Sequence, residues 1–374
     1  MVEKFALALS EKTQEDAARE VSLKIKSIFP KSIKYILLFF TPQYKPSLLL
    51  KTLNFTLNPK MVLGIQAPLL IFENRIIEKG VIALCINKKE AFLKEIFTKK
   101  YSPQDIEASL RKGLKQFDRD KQFLLSTIPQ QCSPSDYLQS LTLSLGKAFN
   151  VLGVGFLKKY ASKNYLIINN SVDEGLLNII GSGLKLTFLK IGGFIPLGKP
   201  FIITRVISER NIIMEINGEP AINIYKHYFE EKFEAFTLNN LFPLYPFGIK
   251  EKDKTNILII KECLEDGSLV CMGEIKENTK VHLMLLHPPS LLDALQEQLT
   301  PLKNIAESLI FMINSLPRKK ILRDSATEEI KTIHDILGKS HKIFGIYSDY
   351  SFFPDKDLQK NIMETGNLIL TLWE

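Results

Sequence analysis

Residues 35–66 read YILLFFTPQYKPSLLLKTLNFTLNPKMVLGIQ, and the same plan returns twice. It returns in FLLSTIPQQCSPSDYLQSLTLSLGKAFNVLGVG, from Phe123 to Gly155, and from Leu309 to Tyr347, ending IFGIY. Each stretch opens on an apolar strand that stops at a Pro-containing loop. A helix follows, then a strand closing on Leu63-Gly64, Leu152-Gly153 or Phe344-Gly345. A strand, helix and strand in this order form a βαβ unit, whose crossover makes the two strands parallel. The three glycine pairs are therefore expected to end strands. In the second copy Ser133 is an N-cap, Pro134 sits at the first helical position and Asp136 complements the helix dipole.

Between these units the pattern stays α/β. Thr13 and Asp16 open an amphipathic helix that buries Val21, Ile25 and Ile28. Ser102-Pro103 starts another, with Ile106, Leu110, Leu114 and Phe117 on one face. Tyr165–Asn169 and Leu184–Lys190 read as strands. The expected fold class is α/β, with mixed β-sheets at the centre, helices on the outer faces and two interlocked halves carrying related βαβ-type units.

Residues 192–229, GGFIPLGKPFIITRVISERNIIMEINGEPAINIYKHYF, are richer in strand signals. Two β-rich runs flank Ser208-Glu209-Arg210. The second ends at Asn217-Gly218, and Pro220 then opens a helix. Residues 257–285, ILIIKECLEDGSLVCMGEIKENTKVHLML, place Asp266-Gly267 between two further β-rich runs, a hairpin signal.

At 374 residues two domains are expected. The split falls at residues 1–200 and 201–374. No apolar run is long enough to span a membrane. The start, MVEKFALALSEK, carries acids in a short apolar stretch and is no secretory signal. The expectation is a cytoplasmic protein with no membrane partner. The net charge is +8, but lysines are scattered in pairs such as Lys99-Lys100 and Lys319-Lys320. Nucleic-acid binders concentrate basic residues on one face, so no nucleic-acid partner is expected. Cys85, Cys132, Cys263 and Cys271 include no C-x-x-C pair. A direct Asp-Gly turn sets Cys263 opposite Val270, which argues against a cross-strand disulfide.

The residues suggest no catalysis. No serine sits in G-x-S-x-G, and Gly181-Ser182-Gly183 reads as a bend or bulge. Gly192, Gly193 and Gly198 do not fit the dinucleotide glycine pattern. No histidines stand at metal-ligand spacing, so neither a metal nor a cofactor is expected. Glu73, Glu78, Asp266 and Glu274 read as solvated carboxylates.

In the order of these elements the chain resembles the FIST family, the F-box and intracellular signal transduction domains. Residues before about 200 are similar to FIST N. NGEPAINIYKHYF, EDGSLVCMGEIKENTKVHLML and the final strand NLILTLW are similar to FIST C. The resemblance implies a small-ligand sensor, with a possible signalling-protein partner. Members commonly carry Gly-Cys-Ser/Thr where this chain has Gly64-Ile65-Gln66. They carry Gly-Cys where it has Gly192-Gly193, and Ser-Cys followed by Arg where it has Asn314-Ser315 and Arg318. They carry Asn-Gly-Glu before Pro where it has Asp349-Tyr350-Ser351 before Pro354. Some members bind haem, which makes His227 an axial candidate against the plainer reading of a helix-surface residue.

Arg318 follows an apolar strand, at the end of a sheet where open α/β folds bind ligands. It is expected to face a cleft and to hold a carboxylate or phosphate. Its truncation would then cost affinity and little stability. Gln66, Asn314, Ser315, Tyr347 and Asp349 follow comparable strands and complete the expected ligand rim. The expected function is a non-catalytic sensor for an anionic or amino-acid-like ligand. The rivals are a protein-interaction adaptor on a degenerate pocket and a hydrolase or transferase.

Overall fold

The computed structural model describes residues 4–114, 122–146, 149–156, 164–230, 241–242, 244–251, 254–272, 275–305, 307–355 and 359–374. Phe117 and Glu274 lie outside them.

The first unit runs β1 (Phe5–Ser10), α1 (Gln14–Ile28), β2 (Tyr35–Phe40), α2 (Pro46–Leu57), β3 (Met61–Gln66), β4 (Leu70–Phe72), β5 (Arg75–Ile77) and β6 (Val81–Ile86). The second repeats it as β7 (Phe92–Thr98), α3 (Pro103–Leu114), β8 (Gln122–Ile128), α4 (Pro134–Leu145), β9 (Val151–Gly155), β10 (Leu166–Ile168), β11 (Ser171–Asp173) and β12 (Leu176–Ser182). The third opens on β13 (Leu186–Ile191) and is interrupted by an inserted module. The module comprises β14 (Phe194–Ile207), β15 (Ile212–Ile216), β16 (Glu219–Pro220), α5 (Asn223–Phe229), β17 (Phe247–Glu251), β18 (Lys254–Cys263), β19 (Leu269–Met272) and β20 (Lys280–Leu286). The unit then resumes with α6 (Pro288–Leu299), β21 (Ser308–Ser315), α7 (Leu316–Leu322), α8 (Ser325–Leu337), β22 (His341–Ser348), β23 (Tyr350–Asp355), β24 (Lys360–Glu364) and β25 (Leu368–Trp373).

The expected βαβ units form, one in each of three six-stranded sheets. The parallel pairs are β2/β3, β8/β9 and β21/β22. The units are linked by exchanged hairpins. The sheet orders are β1-β6-β2-β3-β10-β11, β24-β23-β9-β8-β12-β7 and β13-β25-β21-β22-β4-β5. Thus the first unit lends β4–β5 to the third, the second lends β10–β11 to the first, and the third lends β23–β24 to the second. This exchange is what interlocks the N- and C-terminal halves.

Each central strand is apolar on both faces, as a buried parallel pair requires. Leu37, Phe39, Leu125, Phe311 and Ile313 turn inward to one common core, which also holds Trp373. The alternate residues turn outward under helices: Ile36 and Leu38 beneath α1 and α2, Leu124 beneath α3 and α4, Ile310 and Met312 beneath α6 and α8.

Gly64, Gly153 and Gly345 do not end their strands. They lie within β3, β9 and β22, opposite Leu38, Ser126 and Met312. The exchanged hairpins explain two of them. A Cβ on Gly64 would stand 2.9 Å from Ile167 of β10, and one on Gly153 would stand 3.0 Å from Phe352 of β23.

The inserted module closes on itself. β14 pairs with β20 along its first half and with β15 along its second, and β15-β19-β18-β17-β20 completes an antiparallel barrel. Its interior is filled by Ile203, Ile213, Ile260, Val281 and Leu283, with Tyr225 of α5 packed among them. The turn at Asn217-Gly218 forms, with both residues at positive φ. Pro220, however, does not open a helix. It lies opposite Glu215 on the edge strand β16, where its missing N–H costs nothing, and α5 starts at Asn223. The Asp266-Gly267 hairpin also forms, but its loop is longer than a direct two-residue turn, so Cys263 lies opposite Leu269. All four cysteines are free thiols.

Candidate functional site

The cap of α7 builds the site. β21 ends at Asn314-Ser315, and the Ser315 hydroxyl accepts from the Arg318 backbone N–H at 3.2 Å. Ser315 Oγ in turn donates to the Thr365 carbonyl at 2.5 Å, which fixes the β24–β25 turn against the strand end. This cap turns Arg318 inward, and it is fully buried.

The expectation of an arginine facing an open cleft is therefore corrected. Arg318 Nε donates to Glu329 Oε1 of α8 at 2.8 Å. Its Nη2 donates to the Gly192 carbonyl at 2.7 Å and its Nη1 to the Gly366 carbonyl at 3.4 Å. A buried guanidinium needs this full set of partners, because desolvation penalises every unmet charge. Asn314 Nδ2 donates to the other Glu329 oxygen at 2.9 Å and approaches the Tyr347 hydroxyl at 3.4 Å. Burial and the nearby Glu329 carboxylate push the Tyr347 hydroxyl well above its ordinary pKa, so it stays protonated.

A second buried set adjoins the first. Glu364 Oε1 accepts from the backbone N–H groups of Thr365 and Gly366 at 3.0 and 3.2 Å. Its Oε2 makes no hydrogen bond among the described residues. Lys190 Nζ stands 3.6 Å from it. That ammonium donates instead to Thr255 O at 3.2 Å and Asn256 Oδ1 at 2.8 Å, both on the inserted barrel. Asn367 Oδ1 is likewise buried and unpaired. Both residues line a narrow crevice together with Asn314, Ser315, Ser348 and Ser351. As it stands the cavity leaves no room for a water molecule.

Of the expected rim, Asn314, Ser315, Arg318 and Tyr347 join one network, and Asp349 follows directly on β22. Gln66 belongs elsewhere. It ends β3 in another sheet, where its Oε1 accepts from the Tyr165 backbone N–H at 3.2 Å. Glu329, Glu364, Asn367 and Lys190 were not foreseen. Glu329 had a signal, since it shares the buried stripe of α8 with Ala326, Ile333 and Ile336. Glu73, expected as a solvated carboxylate, is partly buried and lies 3.6 Å from His334. Burial raises its pKa.

The space between the three sheets is different in kind. It is lined by apolar side chains such as Leu37, Leu63, Leu125, Phe311 and Trp373, with the strand residue Ser126 alongside. Its free volume of about 20 Å³ is near that of one water. Ser126 is held in a triangle with Tyr137 and Asn178, at 2.6–2.8 Å.

The chain matches the FIST N domain over residues 34–219 and the FIST C domain over residues 221–349. It belongs to the FIST family, whose domains are associated with ligand sensing in signal transduction. No curated protein matches it. Two solved structures are similar in outline. One is a cyanuric acid hydrolase from A. caulinodans, at TM-score 0.38 and 7% identity over 98% of each chain. The other is a cyanuric acid hydrolase described as innovation by structural concatenation, at TM-score 0.37 and 8% identity over 99% of each chain. Neither superposition is close enough to carry chemistry across. No described helix is long and apolar enough to cross a membrane.

Proposed function

We propose that the chain is a non-catalytic cytoplasmic sensor of a small amino-acid-like ligand, received at the polar ends of β21 and β22. One observation carries the reading: buried acceptors on Glu364 and Asn367 stand without a hydrogen bond among the described residues, in a crevice between strand ends. Leaving such groups unmet costs about 1–3 kcal/mol each, which a ligand that supplies donors would return. Arg318 and Lys190 already spend their charge on protein groups, which favours an amino-acid-like ligand over a purely anionic one.

The output follows from what Arg318 holds. Its guanidinium ties α8 to the β24–β25 turn and to Gly192, at the entry to the inserted barrel. A ligand that shifts the turn would change the relative population of barrel arrangements, and a signalling partner would read that change. Asn314 and Ser315 line the site in this reading, while Arg318 and Tyr347 position it.

A second reading is favoured by the tightness of the cavity: an adaptor that uses the scaffold and binds no ligand. A thermal-shift screen against amino acids, amides, amines and carboxylates separates the two. A ligand-specific rise in melting temperature that Ser315→Ala abolishes supports the sensor. No rise with any compound overturns it.

A further inference from the structure

Resting on that reading, we propose that the cavity beside Glu364 selects a primary carboxamide, the side-chain group of glutamine or asparagine. The choice follows from counting donors and charges. Glu364 Oε2 and Asn367 Oδ1 are two acceptors without a hydrogen bond, each on a side chain more than nine-tenths buried. An amide NH₂ carries two donors and can serve both. An ammonium group also donates, but Lys190 Nζ already stands 3.6 Å from the carboxylate and balances its charge. The neighbouring pair Arg318–Glu329 is balanced as well. A further cation would sit as an uncompensated charge beside Lys190, in a site where desolvation is severe. A carboxylate would meet Glu364 with like charge and no donor. A neutral N–H donor escapes both penalties. The Ser351 hydroxyl is directed to the Glu364 carbonyl at 3.5 Å, and Ser348, which also lines the crevice, carries a hydroxyl of the type that can donate to the amide carbonyl.

The crevice must widen to admit the group, which requires the turn Thr365–Asn367 to loosen the bonds that Thr365 makes to the Ser315 hydroxyl and to the Ile257 carbonyl. That turn carries the Gly366 carbonyl held by Arg318, so capture of the amide bears directly on the contact with Gly192.

The test compares isosteric pairs by thermal shift. Glutamine and asparagine are expected to raise the melting temperature, and glutamate and aspartate are not. Acetamide should act weakly in the same sense, and N,N-dimethylacetamide, which lacks donors, should not act. Glu364→Gln supplies its own NH₂ and should abolish the response. Lys190→Met removes the compensating cation and should shift the preference from acetamide towards methylammonium. If that variant does not fold, the wild-type pairs still decide. Equal responses to glutamine and glutamate would overturn the carboxamide assignment while leaving the sensor reading intact. So would a response to methylammonium in the wild type. No response to any amino acid or amide would overturn both.

Discussion

β21 shows two environments on one strand. Its inward residues Leu309, Phe311 and Ile313 join the apolar core shared by three sheets. Its last residues, Asn314 and Ser315, enter a buried network with Arg318, Glu329 and Tyr347. The register defines the comparison. Gly64, Gly153 and Gly345 lie opposite Leu38, Ser126 and Met312, so Phe40, Ile128 and Asn314 occupy equivalent positions two residues on. Two units place an apolar side chain there and one places an amide. The core is common to the three repeats, and the candidate site belongs to the third alone.

Two truncations sharpen this contrast at the largest scale. Phe311→Ala opens a void in the common core and should cost about 3–5 kcal/mol. Arg318→Ala leaves the Glu329 carboxylate buried and unpaired and should also cost about 3–5 kcal/mol. Denaturant unfolding measures both, and rescue tells them apart. Adding Glu329→Leu should recover much of the Arg318→Ala loss and none of the Phe311→Ala loss. A loss below about 1 kcal/mol for Arg318→Ala would break the account of a buried, neutralised guanidinium.

Asn314→Leu gives the third unit the apolar residue its relatives carry. It strips Glu329 of one donor, and the expected cost is about 1–3 kcal/mol. A stabilised variant would show that the amide serves no structural purpose.

The smallest effect lies on the outside of the first unit. Glu20 is bonded to Lys24 and Ser10, and these partners hold its pKa at about 2, below the ordinary 4.5. A depressed carboxyl stabilises the fold above its ordinary pKa, and this contribution fades as pH falls towards about 2. Glu20→Gln should therefore lower the melting temperature slightly at neutral pH and flatten its fall on acidification. Parallel acid limbs for the two proteins would contradict this.

The repeat was legible because strand, Pro-containing loop and helix each leave a mark in sequence. Pro46, Ser133-Pro134 and the N-cap Ser315 all stand where helices begin. The hairpin exchange was not legible. β4 and β5 have three residues each, too few to show a period, and their partner β22 lies far along the chain. Closure of the barrel was hidden for a similar reason, since β14 divides itself between two partners. Within the site, Asn314, Ser315 and Arg318 were visible from their place after a strand. The orientation of Arg318 was not. Its partner Glu329 sits eleven residues on, and a place on the apolar stripe of α8 marks it as buried without saying which cation it meets. Glu364 and Asn367 flank a short turn whose burial depends on three separate sheets.

Hydrogen exchange read by mass spectrometry, with and without glutamine, tests the central claim most directly. The account predicts slowed exchange around Ser315–Lys319, Glu364–Leu368 and Ile191–Phe194, with none in Leu37–Phe40 or Leu125–Thr127. Slowing confined to those central strands, or no change in any segment, would contradict it.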